Sequence, residues 1–266
     1  MSKRRFLQSA LPAGLLVCSV ASCWAQNLLV NGSFETPHVT NATKVSFADP
    51  GGLLPWQTTA TNFELWTNGW KNSNAGIGPL FSADGGQNLE ILSSTNDASV
   101  WQTVPTLPGE HYTLSFYYSP RPGAAADGFS VDVNSTNVLA VVDDGSELVD
   151  FDWQQFATTF VADTNLTTVS FSDFSFNGGG SGTHIDGVVL EHVPAVTIQK
   201  AASSGVHIQW VGVSNEFYHV QFRTNLITGN WSNLGGPIFG SNAINSISIA
   251  PDSNTPRAFY RVRTGP

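Results

Sequence analysis

NLLVNGSFETP at residues 27–37 and GTHIDGVVLEHV at residues 182–193 decide the fold of this chain. Each joins an alternating apolar run to a carboxylate, Glu35 in the first and Asp186 in the second. Such alternation marks a half-buried strand, because successive side chains point to opposite faces. The two segments read as the opening and closing of one β domain, and the sequence between them is of the same kind. HYTLSFYYSP at residues 111–120 puts Tyr112, Leu114, Phe116 and Tyr118 on one face, and residues 129–133 and 167–176 alternate likewise. Further strands are expected at 87–92, 99–104, 138–142, 153–161 and 184–193. Clusters of Gly, Pro, Asn and Asp at 120–123, 143–145, 163–165 and 178–182 separate them. No window carries helical spacing, so the chain should be all-β, its first domain a two-sheet jelly-roll sandwich. Residues 56–86 are less regular and should hold the longest loops.

Pro194 marks a second boundary. Beyond it, residues 196–200, 206–211, 217–223, 244–249 and 259–263 read as strands of a small immunoglobulin- or fibronectin-like sandwich. The expected organisation is a signal at residues 1–25, a jelly roll at 26–193 and a small β module at 194–266.

The signal rests on the basic Lys3, Arg4 and Arg5, an apolar stretch broken by Pro12, and small residues up to Ala25. Cleavage after Ala25 is the leading reading. Val20-Ala21-Ser22-Cys23 has the shape of a relaxed lipobox, which would leave Cys23 as a lipidated N-terminus, and SKRRFLQ resembles a twin-arginine signal. Each route leads to an extracellular, periplasmic or cell-surface destination. The apolar run is too short and interrupted for a transmembrane anchor. Cys18 and Cys23 both lie in this segment, so the exported body has no disulfide and depends on core packing or bound ions. Without Lys3, Arg4 and Arg5 the chain keeps 8 basic residues against 20 acidic ones, a net charge of −12. That balance argues against nucleic acid and anionic membrane surfaces as partners. A monomer is expected.

With these segments laid out, residues 27–193 resemble the galactose-binding-like jelly roll. More narrowly, they resemble a secreted domain of a plant cell-wall family of unassigned function and of bacterial choice-of-anchor surface proteins. The matching stretches are NLLVNGSFETP, FELW at 63–66, ADGGQNLEI at 83–91, WQTVPTLPGEHYTLSFYYSPRPG at 101–123 and GTHIDGVVL at 182–190. Two positions depart from the family pattern. Gly187 stands where Asn or Asp is expected, and Tyr117 replaces the more usual acid. The tail, with EFYHVQFRTNL, NWSNL and AFYRV, is more loosely similar to a small C-terminal β module of secreted bacterial proteins. The resemblance implies non-catalytic binding of cell-wall or extracellular polysaccharide. It also implies that Glu35 and Asp186 help hold one structural calcium ion; otherwise Glu35 caps a turn and Asp186 accepts backbone N–H bonds.

Trp66, Asn68 and Trp70, in the expected loop FELWTNGWKN, are candidate ligand contacts, since flat apolar rings beside a few polar groups suit sugar faces. Trp66 could equally be core, whereas Trp56 and Trp101 read as core or sheet-edge residues. Arg121, set between two prolines, could present its guanidinium to a sugar hydroxyl or uronate, or lock its loop by pairing with an acid. No nucleophile elbow, zinc-protease motif or mature cysteine nucleophile is present, so no enzyme activity is expected. The alternative is a structural or adhesive surface protein that binds protein partners through the C-terminal module, with EFYHVQF as an open strand edge.

Overall fold

The computed structural model describes residues 27–40, 44–47, 55–59, 63–91, 98–174, 181–201, 205–250 and 257–265. The expected signal segment with Cys18 and Cys23 lies outside them. No helix occurs among the described residues. The N-terminal sandwich is built from β1 (Lys44–Phe47), β2 (Gln57–Thr58), β3 (Phe63–Thr67), β4 (Gln87–Glu90), β5 (Ser99–Pro105) and β6 (His111–Ser119). Its remaining strands are β7 (Asp127–Val133), β8 (Thr136–Asp143), β9 (Gln154–Val161), β10 (Leu166–Asp173) and β11 (His184–Val193). Two antiparallel sheets result, ordered β1-β3-β4-β11-β6-β9 and β2-β5-β10-β7-β8. The closing strand β11 therefore docks in the middle of the larger sheet, between β4 and β6.

The alternating residues of β6 do what their period demands. Tyr112, Leu114, Phe116 and Tyr118 all enter the core between the sheets. Phe116 meets Phe171 of the opposite sheet edge-on at 5.1 Å, and Tyr118 meets Phe129 at 5.2 Å. Trp56 is fully buried against Phe34 and Phe171 and donates its indole N–H to the Asn31 carbonyl at 3.0 Å.

Residues 27–37 form turns rather than a strand. They nonetheless seal β11. The Asn27 amide donates to the Val188 carbonyl at 2.8 Å and its oxygen accepts from the Leu29 and Leu190 amides. The Val188 amide donates to the Gly32 carbonyl, and a Cβ at Gly32 would lie 2.0 Å from the Val188 oxygen, so only glycine fits there. Opening and closing segments are thus one packed unit.

The C-terminal strands are β12 (Thr197–Lys200), β13 (Val206–Gly212), β14 (Phe217–Arg223), β15 (Ser232–Asn233), β16 (Ile238–Phe239), β17 (Ala243–Ile249) and β18 (Phe259–Thr264). They make the sheets β12-β13-β17 and β15-β14-β16, with β18 on the other side of β14. Ile208, Trp210, Tyr218 and Val220 centre their own core. This corrects one expectation: EFYHVQF is no open edge, because β14 pairs with β15 and β16 on one side and β18 on the other.

At the junction, buried His192 of β11 contacts Glu110 Oε2 through Nε2 and the Tyr218 hydroxyl through Nδ1, both at 3.1 Å. A carboxylate only accepts, and the single Tyr218 proton goes to Glu216 at 2.9 Å.

Candidate functional site

The face of the larger sheet turned away from the core carries the chemistry. β3 sends Phe63 and Leu65 inward, which leaves Glu64 and Trp66 on the outer side. Cross-strand register then sets Glu64, Glu90, His184 and Ser119 in one row over β3, β4, β11 and β6. This end of the face is covered. The segment from Asn68 to Ser82 folds over it and packs Ile77, Leu80 and Trp70, together with Phe151, against Trp66. The Gly78 amide donates to the Val149 carbonyl, tying the two covering loops together.

Trp66 is consequently 1% exposed. Its ring lies 4.3 Å from Trp70, 4.9 Å from His184 and 5.1 Å from the Arg121 guanidinium. Its indole N–H is shared between Glu64 Oε2 at 3.1 Å and Glu90 Oε2 at 2.9 Å. Trp66 is therefore corrected from ligand contact to core residue, since no face of its ring is open. Arg121 takes the pairing role. It donates to Glu90 Oε1 at 3.0 Å, and the Gly182 amide donates to the same oxygen. Burial nevertheless pushes the Glu90 carboxyl up to about 7, against the lowering effect of Arg121. Glu90 and His184 are fully buried, so no substrate reaches this carboxyl cluster in the described arrangement.

Asn68 is also a fastener. Its amide donates to the Gly85 carbonyl at 3.1 Å and its oxygen accepts from the Ser82 amide at 2.7 Å. Trp70 is partly exposed at the rim of the covered end.

Glu35 and Asp186 grip one turn from two sides. Glu35 Oε1 accepts the Gly86 and Gln87 amides at 2.7 and 2.9 Å, and a Cβ at Gly85 would strike that oxygen. Asp186 accepts the Asp84 and Gly187 amides, each at 2.7 Å. Asp186 is fully buried, and its carboxyl is pushed up to about 8 by desolvation, with the Asp84 and Glu35 charges adding to the rise. Uncompensated carboxylates around a buried oxygen suit a hard cation. Among the described residues no three His, Cys, Asp or Glu side chains are already gathered as a cage. The donor set fits calcium only if backbone carbonyls or water complete it.

The open part of the face lies beyond this turn. Tyr117 pairs in register with Asp186 on β11 and Gln155 on β9. Gly187 (φ +56°) sits beside it: a Cβ there would be 3.1 Å from the Tyr117 ring and 3.4 Å from Asp84 Cβ. The two departures from the family pattern are thus neighbours, a large ring next to a missing side chain. Trp153 donates its indole N–H to the Phe81 carbonyl at 2.8 Å and packs at a tilt against Phe151 at 4.8 Å. Phe81 is 54% exposed, Trp153 and Tyr117 are partly exposed, and Asp84 and Gln155 are exposed. Sequence reading missed Tyr117, Trp153 and Phe81 as candidates, because they come from three separate segments. A cleft of about 270 Å³ lies elsewhere, at the junction, lined by Val30, Leu107 and Glu216 among others. Glu216 Oε2 there accepts from Tyr218 while Oε1 is buried without a hydrogen-bond partner, and the exposed aromatic side chains make the outer face the stronger candidate.

Several solved structures align with this chain at low similarity. TmCBM61 in complex with β-1,4-galactotriose aligns with 13% identity and a TM-score of 0.41, over 64% of this chain and 100% of that one. The K1 cleaved adhesin domain of Lys-gingipain from Porphyromonas gingivalis W83 aligns with 14% identity and a TM-score of 0.38, over 56% and 98%. A family 35 carbohydrate-binding module from Clostridium thermocellum aligns with 10% identity and a TM-score of 0.33, over 56% and 98%. Likeness at this level identifies neither ligand nor site. Halomucin of Haloquadratum walsbyi (strain DSM 16790 / HBSQ001) is 24% identical over 189 residues, 68% of this chain. The chain spans about 2% of the length of that relative. Residues 27–190, more than half of the chain, match the family described as "Protein of unknown function (DUF642)", and the chain belongs to that family.

Proposed function

We propose that this is an exported, non-catalytic carbohydrate-binding protein that meets extracellular or cell-wall polysaccharide with the open face of its larger sheet. One observation carries the reading: partly exposed Tyr117 lies on the outer face beside Asp84 and Gln155, and partly exposed Trp153 is hydrogen-bonded to the main chain at exposed Phe81. Exposed rings fit the C–H faces of sugars, and flanking carboxylate and amide groups fit their hydroxyls. Trp70 extends the face at its rim. Arg121, Asn68 and Trp66 act beneath it, holding the loops that carry the rings. Burial of Glu90 and His184 supports binding without turnover. The signal-like N-terminus supports an extracellular, periplasmic or cell-surface location. Residues 194–266 serve as an attached module. Glu35 and Asp186 would hold a calcium ion that ties the turn to the termini of the sandwich, a structural part and not a catalytic one.

Affinity electrophoresis of residues 26–266 through a panel of uncharged plant, algal and bacterial polysaccharides tests this. Retardation by one polymer that is lost in Trp153→Ala and Tyr117→Ala, with unchanged melting curves, is expected. No retardation across the panel would sink the proposal.

A further inference from the structure

Charge is distributed very unevenly along the mature chain. Residues 26–193 hold 3 basic and 18 acidic residues, a net −15, whereas residues 194–266 hold 5 basic and 2 acidic ones, a net +3. The structure concentrates that positive charge. On β14 the inward residues Tyr218 and Val220 build the core, so Phe217, His219, Gln221 and Arg223 face outward. Register places Arg263 opposite His219, Arg261 opposite Gln221 and Phe259 opposite Arg223. Three of the eight mature basic residues therefore share one sheet face with partly exposed rings: Phe217, Phe259 and, packed on Phe217 at 5.1 Å, Phe239.

The arginines are held ready rather than spent. The guanidinium groups of Arg261 and Arg223 lie over the Trp231 ring, 4.4 and 5.2 Å from its centroid. Arg261 is further oriented by Gln221 at 2.8 Å, which in turn donates to Asn233 at 2.7 Å. Arg223 donates to the Asn225 carbonyl. Among the described residues neither arginine has a carboxylate partner, and partial burial lowers the Arg261 pKa, with the Arg263 and Arg223 charges adding to the fall. His219 Nε2 on the same face is buried without a hydrogen-bond partner.

We propose that the outer face of this C-terminal sheet binds a carboxylated, uronate-bearing polysaccharide, with Arg223 and Arg261 as the carboxylate contacts and Trp231 as their positioning residue. A planar, weakly hydrated guanidinium matches a planar carboxylate through two parallel N–H donors, and the neighbouring phenylalanine rings suit the apolar faces of the sugars. A second copy of the chain fits less well, because two molecules of net charge −12 repel. A nucleic acid needs a denser run of cations than three arginines. The proposal keeps the reading of the chain as a glycan-binding protein but uses a different surface from the sandwich face.

The test is calorimetric titration of the mature chain with polygalacturonate and, separately, with uncharged polysaccharides. EDTA is present so that calcium cannot bridge the polymer to the acidic sandwich. Polygalacturonate should bind, and its affinity should fall at least about tenfold in Arg223→Gln/Arg261→Gln, less in the paired lysine variant, and also fall with added salt. Uncharged polymers should bind all three proteins alike. Undiminished polygalacturonate binding in the folded glutamine variant would overturn the proposal, as would no binding to wild type. Equal, arginine-dependent binding of polyglutamate would reassign the face to acidic proteins. Arginine-dependent self-association in sedimentation, without polymer binding, would reassign it to a second copy. The uncharged arm separates the two readings: arginine-dependent polygalacturonate binding with no uncharged ligand sinks only the sandwich site. The reverse pattern sinks only this one.

Discussion

Among the described residues arginine lies over tryptophan in two places, and the two arrangements differ in everything but that contact. Arg121 covers Trp66 under a roof of loops, with Glu90 fully buried at 3.0 Å as its partner. Arg223 and Arg261 cover Trp231 on an outer sheet face, with no acidic partner among the described residues. In the first case the ring, cation and anion satisfy one another, which stiffens the scaffold. In the second, the ring underlies cations that have no carboxylate partner among the described residues. The same side-chain pair is internal structure where an acid closes the set and a ligand contact where none does.

The strongest way to break this contrast is to remove each ring. Trp66→Ala should cost about 3–5 kcal/mol of stability, the range for deleting a large buried aromatic, because it empties the small core of Ile77 and Leu80 and strands two carboxyls. Trp231→Ala, at a partly exposed loop position, should cost no more than about 1 kcal/mol while loosening the arginines. Urea denaturation of the two variants decides it, and comparable losses would mean that the second tryptophan is as structural as the first.

The pH dependence of the two sites should differ as well. The Glu90 carboxyl lies near 4.5 in the unfolded chain and about 7 in the folded one. A raised carboxyl pKa means that the folded state holds its proton more tightly, so stability is greatest below about 4.5 and falls as pH rises through 7. The full loss is about 3 kcal/mol. Glu90→Gln cannot ionise and should flatten that part of the profile, measured in EDTA between pH 4 and 8. Asp186, pushed up in the same direction, keeps its own share of the slope. An unchanged slope in the variant would show that Glu90 is solvated and charged throughout. The arginines of the outer face stay charged across this range.

Much of this contrast was hidden in the sequence for a physical reason. Period-two alternation marks strands and their inward faces, so β6 and β11 were legible residue by residue. It could not reveal that β3 is buried on both sides, because the second cover comes from the loop ending at Ser82, through Trp70, Ile77 and Leu80. Trp66 therefore looked like a loop ligand. Conversely, Arg261 and Arg263, two residues apart on one strand, had to share a face, but nothing local announced that Trp231 would arrive beneath Arg261 from another segment. Glu35 and Asp186 stand in the opening and closing segments of the sandwich. What they hold directly is the turn at residues 84–87, through four backbone N–H donors in which Gly187 and Asp84 take part.

Calcium separates the acidic half from the basic half more gently. If Glu35 and Asp186 hold an ion of about 0.1 mM dissociation constant, 1 mM calcium should stabilise the sandwich by about 1.4 kcal/mol. A calcium-dependent rise in melting temperature, abolished in Glu35→Gln, is expected in thermal scans, and magnesium should not substitute. No calcium-dependent rise in wild type would leave the two carboxylates as turn clamps alone.

The smallest expected effect is also the most discriminating. Arg261→Gln removes a charge that sits among two other arginines and has lost part of its own hydration. Deleting it relieves repulsion and forfeits only a contact to Trp231 and one to Gln221, so the stability change should lie within about 0.5 kcal/mol of zero. Arg121→Gln should cost more, since it leaves the fully buried Glu90 without its cation, although protonation of that carboxyl limits the loss to about 1–3 kcal/mol at neutral pH. If the two variants melt together, the arginines are interchangeable surface charges. If Arg121→Gln alone unfolds early, one tryptophan–arginine set maintains the fold, and the other is free to act on what lies outside it.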